Sequence, residues 1–190
     1  LANLSKARKL NSQAVDPAAM YGASVQGMSS RELNKVRSLE VHALGVHTTQ
    51  QCIATTLAIV GKPFQDPAIT IRSSIVLQWF EVLFNIEYQP LATHNAWQKL
   101  SGQLSQAQKP WSLITGPMGA VILTLLELQW TPTSPTHWLD AFGEVWELSD
   151  VEARPTKANC SGVLLAIRDA AELLVWTQAK QHRGGQDLSG

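Results

Sequence analysis

The side chains here that could do chemistry are carboxylates, imidazoles, thiols and cations, and their spacing decides which reactions stay open. Two-metal chemistry needs paired carboxylates converging on two divalent ions, and the sequence contains no Asp-Asp pair. Asp140 lies in the run HWLDAFGEVWEL, where it reads as an ordinary turn former. His42, His47 and Cys52 stand at intervals that throw ligands about 140° apart around a helix, and Gly45 interrupts the first interval, so they do not read as a zinc site. No Gly-x-Ser-x-Gly elbow occurs, and the histidines read as surface or rim residues. Cys52 and Cys160, with no CxxC partner, read as two reduced, buried thiols. The expectation is therefore of no catalytic residue, no metal site and no cofactor in this chain.

Cations remain. Net charge is zero, from 15 Lys and Arg against 15 Asp and Glu, but the distribution is uneven. Residues 1–40 carry Lys6, Arg8, Lys9, Arg31, Lys35 and Arg37 against Asp16, Glu32 and Glu40. Residues 111–153 carry no Lys or Arg and hold Glu127, Asp140, Glu144, Glu147, Asp150 and Glu152. The basic part could face phosphate or simply be a solvated surface; the acidic part should repel phosphate.

The elements that must position these groups are mainly helical. Asp16-Pro17 offers an N-cap and a first helical position for a short apolar helix that Gly27 ends. Ser29 with Glu32 forms a capping box for a second helix closed at Gly45. At about 100° per residue, that helix puts Arg31, Lys35, Ser38 and His42 on one face and Leu33, Val36, Ala43 and Leu44 on the other. Leu1–Leu10 predicts a short basic amphipathic helix, and a helix through Ile53, Leu57 and Val60 follows, closed by Gly61. Asp66-Pro67 opens the longest apolar stripe, running to about Asn85 and marking the central core helix. Pro90 reads as a break, with Thr93 capping a helix that carries Trp97, Leu100 and Leu104. Met118–Leu128 reads as a buried helix, residues 136–148 as a β-hairpin turning at Asp140–Gly143, and Cys160–Gln181 as a last helix after a linker at Pro155–Asn159. Trp79, Trp97, Trp138, Trp146 and Trp176 fall on apolar faces and read as core. The expected fold is a mainly α helical bundle with one small β-hairpin near residues 136–148.

AAMYGASVQG followed by SSRELNKVRSLEVHALG resembles the segment just after the polymerase palm in reverse transcriptases of non-LTR (LINE-type) retrotransposons. There a helix ending in Tyr-Gly is followed by a polar break and a second helix closing in Leu-Gly. The resemblance covers about thirty residues and departs from the family where Ala23, Ser24 and Gln26-Gly27 stand in place of a Ser-Glu and a Trp. It implies thumb-like helices at 1–61 and a helical connector with the hairpin at 62–183; the tail GGQDLSG at 184–190 reads by itself as disordered. The resemblance also implies that the thumb grips an RNA/DNA primer–template duplex by its backbone, with Arg31 and Lys35, then Arg37, Lys6, Arg8 and Lys9, in the matching positions. The palm of the same polyprotein would then be a partner, and the divalent metal would sit in the parent RNA-directed DNA polymerase. A first residue that is Leu rather than Met fits such a piece of a longer polypeptide. The alternative is a free-standing helical module that binds a protein partner. No apolar run approaches the roughly 18 residues needed to span a bilayer, and no secretory leader is apparent. An intracellular chain, nuclear or cytoplasmic and without membrane contact, is expected.

Overall fold

Pro67 sits at the first turn of the helix on which the others pack. The computed structural model describes residues 22–45, 52–60, 66–85, 87–148 and 157–181. They are mainly helical with a small three-stranded antiparallel sheet. After a helical turn at residues 22–26 come α1 (Ser30–Ala43), α2 (Ile53–Val60), α3 (Pro67–Phe84), α4 (Pro90–Gln106), a 3-10 turn (Pro110–Leu113) and α5 (Pro117–Glu127). The strands β1 (Thr131–Pro132), β2 (His137–Leu139) and β3 (Val145–Glu147) precede α6 (Lys157–Gln181).

The central helix forms where the sequence places it. Asp66 caps α3 by accepting the Ala68 N–H at 2.8 Å, and Pro67 follows where no intrahelical N–H is needed. The helix is buried on nearly every side, from Ile69 and Ile71 through Val76, Trp79 and Phe80 to Leu83. It packs against α6, α5 and α1, while α2 bridges α1 and α6. Elements on both sides of residue 61 thus share one core, which runs from Ala23 and Leu33 to Val175 and Ala179.

Three boundaries differ from expectation. Pro90 begins α4 instead of breaking the chain, because the ring's fixed φ suits a first helical turn; Gln89 is the N-cap, and Thr93 lies inside the helix. Lys157, placed in the linker by sequence, already begins α6, a start that Lys and Ala, both good helix formers, favour. The sheet has a third strand, since Thr131 and Pro132 pair with Leu139 and Trp138 of β2. The hairpin itself is as expected: Trp138 opposes Trp146 across β2 and β3, and Gly143 turns the chain at φ 89°.

The Pro- and Thr-rich loop before β2 is held by its main chain. The indole Nε1 of Trp97, Trp138 and Trp79 donates to the carbonyls of Pro132, Ser134 and Pro135 at 3.2, 3.1 and 3.0 Å, and Gln98 donates to Thr133 at 3.0 Å. Trp79 and Trp97 also meet at 5.3 Å between ring centroids, and Phe80 stacks on Trp138. Large apolar rings thus fill the core while their polar edges fix the sheet against α3 and α4. Among the described residues, no helix is long and apolar enough to cross a membrane.

Candidate functional site

The segment carrying the resemblance can be built upward from residue 22. Gly27 ends the first helical turn with φ 72°, its N–H bonded to the Ala23 carbonyl at 2.8 Å. A Cβ there would come within 2.3 Å of the Trp111 ring, so both backbone conformation and packing require glycine. Ser29 and Glu32 close the predicted capping box: the Ser29 N–H donates to Glu32 Oε2 at 2.9 Å, and the Ser29 hydroxyl accepts from the Glu32 N–H. Hydrogen bonds from the Ser29 hydroxyl and then from its N–H hold the Glu32 carboxyl below its ordinary range; burial opposes them, and the Lys35 charge adds to the lowering. Gly45 lies just beyond the Leu44 C-cap.

On α1, Arg31 and Lys35 are exposed, as is His42. The buried residues are Leu33, Arg37 and Val41, a stripe rotated from the predicted one. Arg37 is the reason. Its Nε and Nη2 donate to Asp66 Oδ2 at 3.1 and 2.9 Å, and both side chains are almost fully enclosed. Its Nη1 donates to Asn34 Oδ1. A guanidinium committed in this way is not presented to a phosphate, so Arg37 leaves the set of duplex-facing cations and becomes the tie between α1 and the cap of α3. Lys6, Arg8 and Lys9 lie outside the described residues, as do Pro17, His47 and the tail 184–190.

Arg72 is a second buried arginine. Arg72 Nη2 donates to Glu127 Oε2 at 3.0 Å and to the Ser30 hydroxyl at 3.2 Å, and its Nη1 donates to the Ala68 carbonyl. Glu127 Oε1 accepts the Trp111 indole N–H at 2.9 Å. One carboxylate at the end of α5 thereby gathers α1, α3 and the 3-10 turn. An Arg recurring on a Leu- and Ile-rich stripe was the available signal for this pair.

Two further clusters bear on chemistry. The Ser134 and Thr136 hydroxyls both lie near His137 Nδ1, at 3.3 and 3.1 Å, and Nε2 is 3.8 Å from Glu147 Oε1. Ser134 Oγ already accepts the backbone N–H groups of Thr136 and His137, which makes it a turn-forming hydroxyl and not a free nucleophile. Asp140 does what its position predicts. Burial resists its ionisation, but the Trp146 indole and the backbone N–H groups of Glu144, Phe142 and Gly143 outweigh that and hold its carboxyl below the usual range. Burial pushes the Cys160 thiol up to about 11, in keeping with an inert core cysteine. Among the described residues, no group of three or more His, Cys, Asp or Glu side chains is placed to hold a metal ion.

No family model, curated protein or solved structure matches the chain.

Proposed function

We propose that this chain is a non-catalytic part of a non-LTR retrotransposon reverse transcriptase, in which α1 lies along the backbone of the primer–template duplex. One observation carries the reading: Arg31 and Lys35 stand one turn apart on the exposed face of α1, while the opposite face is pinned by Leu33, Val41 and the Arg37–Asp66 pair. Two cations on a fixed helix face suit non-specific phosphate contact, which positions a duplex without reading its sequence. In this role the chain works inside the cell, in nucleus or cytoplasm. Lys6, Arg8 and Lys9 add positive charge to the sequence ahead of α1, and the divalent ions belong to the palm of the parent polymerase, which supplies the reaction.

The test is the salt dependence of binding to a short RNA–DNA duplex. Each phosphate contact contributes about 0.9 to the slope of log K against log salt for B-DNA. Arg31→Ala with Lys35→Ala should weaken binding roughly tenfold at low salt and flatten the slope by about 1.8. Both residues are exposed, so the circular dichroism of the variant should match that of the parent. An unchanged slope in a folded variant removes α1 from the role.

A further inference from the structure

The last helix has more apolar surface than its core contacts use. Cys160, Val163, Ile167, Ala171 and Val175 of α6 are buried on the side that meets α3 and α2. On the opposite side Leu165 is 61% and Leu173 54% exposed, with Ala166 and Ala170 between them. That side is mixed, with Asp169 and Glu172 standing among the two leucines. It forms one wall of a groove of about 640 Å³, whose other wall is the end of α5 and the hairpin, including Trp130, Phe142 and Trp146. Trp130 and Trp146 stack at 6.0 Å, and the Trp146 ring lies beside Gly162 of α6. Phe142, at the hairpin tip, is 84% exposed above the opening.

Charge says what fits. Among the described residues, the lining contains Glu127, Asp140, Glu144 and Asp169 and no Lys or Arg. Glu127 and Asp140 are engaged by Arg72 and Trp146, whereas Glu144 and Asp169 form no ion pair among the described residues. They flank the groove from the hairpin and from α6. Leu165 and Leu173 are two helical turns apart, about 12 Å, a length that suits two or three turns of a docked helix.

We propose that this groove binds an amphipathic helix of a partner protein, inserting large aliphatic side chains between Leu165, Leu173 and Trp146 and setting Lys or Arg against Glu144 and Asp169. This is helix-in-groove recognition, with apolar anchors for affinity and rim charges for orientation and specificity. It goes beyond the duplex-binding role, since an acidic groove repels phosphate and its described lining includes neither Arg31 nor Lys35.

The test uses the full chain and a fluorescein-labelled Leu/Lys amphipathic helical peptide, read by fluorescence anisotropy. Saturable binding is expected. Leu165→Ser with Leu173→Ser should weaken it at least tenfold, Glu144→Gln with Asp169→Asn several-fold, and Arg31→Ala with Lys35→Ala not at all. A Leu/Glu peptide of the same periodicity should bind at least tenfold more weakly. Equal binding of the two peptides, or wild-type affinity in folded groove variants, overturns the proposal. So does a concentration-dependent dimer in sedimentation that the Leu165→Ser, Leu173→Ser variant abolishes, which would make the occupant a second copy. Tighter peptide binding by a Lys6→Ala, Arg8→Ala, Lys9→Ala variant overturns it too, because the chain's own N-terminal segment would then be the competitor.

Discussion

Arg37 and Asp66 show how one pair of side chains can set the orientation of a helix. Two opposite charges 2.9 Å apart, both almost excluded from water, attract strongly but have lost their hydration. Removing one partner leaves the other buried and uncompensated. Arg37→Ala is therefore expected to lower stability by about 3–5 kcal/mol, measured by urea denaturation. The double variant Arg37→Met with Asp66→Asn keeps an N-cap on α3 while deleting both charges, and it should recover most of that loss. A double variant as unstable as Arg37→Ala would mean that the guanidinium acts mainly through its packing. Nothing in the local spacing announced this pair, because its members are 29 residues apart and each had a sufficient local explanation, one as a surface cation and the other as a cap.

The ends of the helices are where local sequence speaks most clearly. Ser29–Glu32, Asp66-Pro67 and Gly27 were all legible, since caps and chain reversals depend on a few adjacent residues. The Glu32 bond also has a pH signature. Its folded carboxyl titrates below its ordinary 4.5, so its contribution is fully present above that value and is lost as pH falls through the folded pKa. Glu32→Gln should flatten the fall in stability between roughly pH 6 and pH 3, and an unaltered pH profile would show that the box contributes nothing. The C-terminus of α5 was not legible. The Gln129 N–H bonds to Leu126 and the Trp130 N–H to Leu125, a Schellman closure that places Gln129 at φ 64°, where glycine is usual. Gln129→Gly is expected to raise stability by about 1 kcal/mol, visible as a higher melting temperature. No gain would mean that the strain is already relieved by surrounding contacts.

At the scale of the molecule, the long periodic segments were readable and the surfaces between them were not. The stripe of α3 fixed a central helix because burial on that scale leaves a regular imprint. β1 left none, being two residues of Thr and Pro. On α6, Leu165 and Leu173 stand outside the buried face, an excess of leucine that the sequence displays without saying what it meets. The expected Arg31 and Lys35 face is where the sequence put it, whereas the groove arises from three elements joined only by folding. The Trp-held loop between β1 and β2 has a consequence of another kind, for how this protein tolerates change. Its grip is on main-chain oxygens, which every residue carries, so replacing Pro132 or Pro135 leaves each acceptor in place. One inserted residue shifts all four acceptors out of reach of Trp97, Gln98, Trp138 and Trp79 together. At Pro132 and Pro135 most substitutions should preserve the native tryptophan emission, whereas a single insertion within residues 131–136 should abolish it.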